Sequence, residues 1–354
     1  MDNNNNGQGS EKMNAPLHFP VKPVTSMGTP YIIPLGQVHP PGTDYVGMWY
    51  TARLRHQVDD RMLFGTYENG ASKPHWYSAS HRYYDGIAGV VMLLENKGAS
   101  FPDGLARGRD KTAPTLREIW RAGRRPLDAP SARVLWRDMD ATKAKAAPVM
   151  PVTQLLSVAE TEAIEAVAKQ AGVSSTNWLL WAADRAVREV MCEPGAVLPW
   201  VYPVNLRGAA RQQRESMNHC GGFAVTISDE MDAAAVRDQV SARLARLEHW
   251  RQWLLLNLGR WVGQGGINLL YRLSKGRPGA FAGSYSNLGS WSAPSVDGLI
   301  ASAPGSPAYP VCITTAVCND RRALAIRVHP VADSDGLTAA RVLARWREKL
   351  LDQD

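Results

Sequence analysis

The sequence predicts an α/β protein of two domains, each half a mixed β-sheet with helices. Three observations carry that prediction. Strand-like and helix-like runs alternate along the chain, two similar strand–helix blocks flank a basic stretch, and no internal repeat indicates a solenoid or propeller. The 354 residues, 45% apolar and 21% charged, supply a sizeable core and exclude disorder for the bulk of the chain.

Residues 1–16 are polar and include an asparagine run from Asn3 to Asn6, which reads as a disordered tail. From Leu17 to Pro41, prolines and glycines such as Pro20, Pro23, Pro30 and Gly36 forbid a long helix. Three strands are expected next, over Tyr45–Leu54, Met62–Tyr67 and His75–His81, because each is rich in aromatic, β-branched or other apolar residues. No helix is expected between residues 17 and 74. A buried helix follows over Gly86–Leu94, and Gly98 ends that unit.

Residues 105–146 hold eleven Lys or Arg against five acids. A short helix over Thr115–Ala122 interrupts them. The stretch reads as a solvated connection between an N-terminal half, 17–146, and a C-terminal half, 147–354. The sharper alternative is a contact for the phosphates of coenzyme A or for an acidic carrier protein.

The second half is more regular. Thr153–Ser157 is strand-like, and Ser157 with Glu160 forms a capping-box pattern that opens a helix to Ala171. Further helices are expected over Thr176–Met191, Met231–Trp250 and Leu337–Leu351. Strands are expected over Val197–Leu206, Gly222–Ile227, Ala282–Asn287, Tyr309–Val317 and Ala323–Val328. Trp250–Leu273 mixes Trp and Leu with Arg251, Arg260 and Arg272, and four glycines break it. It reads as an amphipathic cover on the core, with a membrane contact or an acyl tunnel as the alternatives.

The net charge of +7 favours anionic partners without choosing among them. Cys192, Cys220, Cys312 and Cys318 form no CxxC pair, and His75, His219, His249 and His329 share no ligand spacing, so no metal site is expected. The cysteines read as reduced thiols of a cytoplasmic protein. No run approaches the ~20 apolar residues that cross a bilayer, which leaves peripheral membrane contact compatible with the sequence. No nucleic-acid recognition motif is present.

The informative segment is Ser80-His81-Arg82-Tyr83-Tyr84-Asp85-Gly86. A histidine at a strand end is held by the sheet yet projects past it, and imidazole takes up and returns a proton near neutrality. Asp85 is placed to fix the turn by ionic or hydrogen bonds, and Gly86 lets the backbone turn closely.

His81-x-x-x-Asp85-Gly86 resembles the HxxxDG core of the chloramphenicol acetyltransferase-like superfamily, which includes condensation domains, plant BAHD acyltransferases and wax-ester synthases. Pro203–Arg207, Asn218–Phe223 and Ser284–Gly289 are similar to later motifs of that superfamily, in the same order. The chain departs from the longer motif at Ser80, where a first histidine would stand, and lacks the DFGWG motif of the plant enzymes. Less chain precedes His81 than is usual there, which predicts a cleft that is more open or completed by another chain.

The resemblance implies a two-domain sandwich with the active site in the channel between the halves. It implies an acyltransferase that moves an acyl group from acyl-CoA or an acyl-carrier protein to a hydroxyl or amine of a small molecule. His81 would be the general base, Asp85 a structural residue paired with Arg53, Arg55 or Arg207, and Ser286 or Asn287 candidate oxyanion donors, although a role as turn or strand-end caps is the favoured reading of those two. No permanently bound cofactor and no acyl-enzyme would be needed. The alternative reading is a non-catalytic binding or scaffold relative.

Overall fold

The computed structural model describes residues 32–35, 45–68, 70–101, 105, 108–146, 149–210, 217–274, 276–333 and 335–351. The tail read over residues 1–16, and most of the stretch from 17 to 41, lie outside the described residues.

The chain is mixed α/β with two sheets. In order it runs β1 (Ile32–Pro34), α1 (Tyr45–Arg55), β2 (Arg61–Tyr67), β3 (His75–Ser80), α2 (Gly86–Glu95) and α3 (Leu116–Gly123). It continues through β4 (Val152–Leu155), α4 (Val158–Gln170), α5 (Ser175–Met191), β5 (Leu198–Asn205), β6 (Cys220–Ile227), α6 (Ala233–Ala245), α7 (Glu248–Leu256) and α8 (Gly259–Ser274). Last come β7 (Gly283–Trp291), β8 (Gly298–Ser302), β9 (Val311–Cys318), β10 (Arg321–Val328) and α9 (Thr338–Leu351).

The smaller sheet has the order β1-β3-β2-β8 and the larger one β4-β10-β9-β7-β5-β6. β8 comes late in the chain yet pairs antiparallel with β2, from Leu63 opposite Ser302 to Tyr67 opposite Gly298. Gly298–Ser302 is buried throughout, which suits a five-residue apolar strand enclosed on both faces. The sequence reading contains no strand there, because the run is short and lacks alternation.

Two other expectations fail. Tyr45–Leu54 is not a strand: Tyr45–Arg55 is helix α1, so a helix does lie between residues 17 and 74. Its aromatic and β-branched residues favour a strand locally, but packing against α8 overrides that preference. Trp49 Nε1 donates to the Leu256 carbonyl at 2.7 Å and Gln264 Nε2 donates to the Met48 carbonyl at 3.0 Å. The long helix expected over Met231–Trp250 is two helices, broken where Leu247 adopts a left-handed conformation with φ 55°.

Most described residues of the basic stretch are exposed, as a solvated connection requires, and a few contacts tie it to the rest of the protein. Arg133 pairs with Val197 and Trp136 with Cys192 as antiparallel bridges, and Trp136 Nε1 donates to the Gly279 carbonyl at 3.0 Å. Asp110 accepts from Trp250 Nε1 at 2.7 Å and lies 2.9 Å from His249 Nε2.

On the larger sheet the core gathers Leu198, Trp200, Val225, Ile313 and Ile326 against α5 and α9. Parallel β7 lies between β5 and β9, where Gly283 faces Trp200 and Val311. A Cβ at Gly283 would collide with the Val311 carbonyl, which cannot rotate away as a side chain would. Gly283→Ala is expected to destabilise by about 1–3 kcal/mol, read as a lower denaturant midpoint at unchanged slope.

Candidate active site

β3 is paired on both edges, so the residue after it starts from fixed backbone. That residue is His81, whose amide donates to the Asp60 carbonyl at 2.9 Å. Ser80 donates its hydroxyl proton to the Asp60 carboxylate and accepts from the Arg82 amide at 3.2 Å. Where the longer motif has a histidine, this chain thus uses a hydroxyl that ties the turn together.

The His81 ring is oriented by a reciprocal pair of bonds. Its Nδ1 lies 3.0 Å from Asn218 Oδ1, and Asn218 Nδ2 donates to the His81 carbonyl at 3.1 Å. A carbonyl only accepts, so the amide nitrogen faces it and Oδ1 faces the ring. Oδ1 also only accepts, so Nδ1 carries the hydrogen and Nε2 keeps the lone pair. Asn218 is fully buried, which holds this choice in place.

Tyr50 of α1 stacks on the imidazole with centroids 4.1 Å apart and planes at 17°. The Arg53 guanidinium lies 5.2 Å from the Tyr50 ring centre. Burial pushes the His81 pKa below the ordinary imidazole value, with Arg53 acting the same way against Asp85 and Asn218. The ring is therefore neutral at pH 7. Asn218→Asp would put a carboxylate on Nδ1 and favour the imidazolium. A proton NMR titration of the His81 ring should then show its pKa raised.

Asp85 caps α2, accepting from the Ala88 amide at 3.0 Å. Its Oδ1 also meets Arg207 Nη2 at 2.7 Å, and its Oδ2 accepts from the His219 amide at 2.9 Å. Burial raises the carboxyl pKa, but Arg207 and the two amides outweigh it and hold the group below the usual carboxylate range. Of the three arginines considered for this pairing, Arg207 fills the role. Arg53 instead reaches the Tyr309 hydroxyl and the Asp59 and Gly305 carbonyls.

Gly86 is not at a positive φ, contrary to the idea of a glycine-dependent turn. Its missing side chain permits a close approach: a Cβ there would meet Leu288 Cδ2 at 2.9 Å. This contact brings the end of β7 against the start of α2.

A cavity of about 110 Å³ opens between the sheets. His81, Asp85, Gly86, Ser286 and Asn287 all border it, alongside Met62, Phe64, Cys220 and Thr314. Asn287 is engaged in holding the strand end: Nδ2 donates to Thr176 Oγ1 at 2.8 Å and Oδ1 accepts from the Gly289 amide at 3.1 Å. Ser286 lies opposite Thr314 on the neighbouring strand. Thr314 Oγ1 is buried and has no hydrogen-bond partner among the described residues. Burial pushes the Cys220 thiol up to about 12, so it is not a nucleophile at neutral pH.

The sequence reading passed over three of these residues. Asn218 was legible only as part of a turn, since its bond to His81 spans 137 positions. Tyr50 was hidden by the misread helix, and Thr314 is one hydroxyl in an apolar strand.

The sequence matches no family model and no curated protein. Among solved structures the chain is similar to the condensation domain of a Monacolin K polyketide synthase, with 12% identity and a TM-score of 0.47 over 79% of this chain and 70% of that one. It is similar to polyketide synthase associated protein 5 from Mycobacterium tuberculosis, with 12% identity and a TM-score of 0.48 over 88% and 98% of the two chains. It is also similar to a trichothecene 15-O-acetyltransferase from Fusarium sporotrichioides, with 13% identity and a TM-score of 0.44 over 88% and 76%.

Proposed function

We propose that the protein is an acyltransferase that moves an acyl group from a thioester, acyl-CoA or acyl-carrier protein, to a hydroxyl or amine of a small acceptor. The observation that carries this reading is a neutral imidazole, fixed by Asn218 with its lone pair on Nε2, at the wall of a cavity between two sheets.

As the acceptor oxygen or nitrogen bonds to the thioester carbonyl carbon, Nε2 of His81 takes its proton. The carbonyl electrons move to oxygen, where the Ser286 and Thr314 hydroxyls supply donors. Collapse of that oxyanion breaks the carbon–sulfur bond, and the imidazolium returns the proton to the departing sulfur. A thiol with a pKa of about 8.5 leaves far more readily than an alcohol. The high pKa of Cys220 fits a direct transfer without an acyl-enzyme.

A panel of acyl thioesters, assayed for free thiol with and without hydroxyl or amine acceptors, tests the reading. Acceptor-dependent thiol release that vanishes with His81 supports it. No release from any thioester, with retained binding of one, would replace it with a binding protein.

A further inference from the structure

α7 and α8 follow one another, α8 itself bends at Gly263 (φ 63°, ψ 179°), and the inner side of this elbow is fastened to the protein. Trp250, Trp253 and Ile267 are buried there, and the two bonds to Met48 and Trp49 anchor it to α1. That inner set accounts for the amphipathic cover expected from the sequence. It leaves a second apolar set unexplained. Leu254, Leu255, Trp261, Val262, Leu269 and Leu273 are exposed, Trp261 by 79% and Leu273 by 72%.

Along the chain the charge of this stretch is one-sided. Between Glu248 and Asp297 the chain contains no acid, while Arg251, Arg260, Arg272, Lys275 and Arg277 are all basic. Leu269 and Leu273 lie one helical turn apart, and Arg272 adjoins Leu273. Arg260 precedes Trp261 and approaches its ring at 5.7 Å. Large apolar side chains projecting from a helix, each set beside an arginine, match the layer where headgroups meet acyl chains: tryptophan and leucine enter it while guanidinium groups remain with the phosphates. Among the described residues no helix is long and apolar enough to cross a membrane, so the contact would be peripheral.

We infer that the outer face of the α7–α8 elbow docks on an anionic lipid surface. An acidic protein would complement the arginines equally, but it would not call for a tryptophan and a leucine so fully projected into solvent.

The test is co-sedimentation of the full chain with vesicles of phosphatidylcholine alone or mixed with phosphatidylglycerol, at physiological salt. The protein is expected to pellet with the anionic vesicles and not with the neutral ones. Trp261→Ser combined with Leu273→Ser leaves the charge unchanged and should weaken that binding about tenfold or more. Arg260→Gln with Arg272→Gln should weaken it as well and reduce its dependence on salt. The inference is overturned if the wild type ignores anionic vesicles, or if the serine variant binds them as tightly as wild type, which would reduce the effect to general basic charge. An acidic acyl-carrier protein that binds this face, while vesicles do not, would also overturn it.

Discussion

His81→Ala is expected to lower acceptor-dependent thiol release by about 10²–10⁴-fold, the usual contribution of a positioned general base. The loss should fall on kcat more than on KM, because the imidazole takes its proton only as the acceptor bond forms. The fold should survive. His81 is half-buried, and among the described residues its side chain meets Asn218 and stacks on Tyr50, so its removal should cost about 1 kcal/mol. Thermal unfolding and thiol release, measured on the same sample, separate the two effects. Equal turnover in the variant would remove His81 from the chemistry.

The largest stability effect is expected at Asp85 and Arg207. Both are buried, with the carboxylate receiving one guanidinium and two amide hydrogens. Asp85→Ala removes the buried carboxylate that meets Arg207 Nη2 and the cap of α2. The cost should be about 3–5 kcal/mol for the broken pair, with about 1 kcal/mol more for the cap. Arg207→Met should cost a similar amount by leaving the carboxylate unpaired. The double variant Asp85→Asn with Arg207→Met should lose less than the sum of its parts, since both charges of the pair are then removed. Denaturant titrations of the set give the coupling. The sign with pH follows from the direction of the shift. The folded carboxyl lies below its unfolded value of about 3.9, so its stabilisation is complete above that value and lost as pH falls through the folded one. Asp85→Asn should remove this acid-sensitive part of the stability curve.

Much of this was legible because it is local. The capping box of Ser157 and Glu160 is formed as read, and Gly86 opens a helix directly after the turn that follows the histidine strand. What escaped is set by distant partners. Tyr45–Arg55 carries strand-like residues, yet Val46, Ala52 and Arg53 are buried as a helix packed beside α8. Gly298–Ser302 has no pattern of its own and becomes a strand because β2 offers a free edge. Asn287 was readable as a chemical donor or as a cap, and only its bonds to Thr176 and Gly289 distinguish the two. The tautomer of His81 depends on an amide far along the chain and has no signature in its neighbours.

The central claim is that the neutral His81 imidazole drives acyl transfer, and the pH profile of acceptor-dependent thiol release tests it most directly. Because burial holds the ring below the ordinary imidazole value of 6.5, kcat should rise with pH through one ionisation below that value and stay level to pH 8. In Asn218→Asp the midpoint should move upward. A rate that stays flat through the acid limb, or keeps rising beyond pH 8 alike in wild type and His81→Ala, would contradict the account.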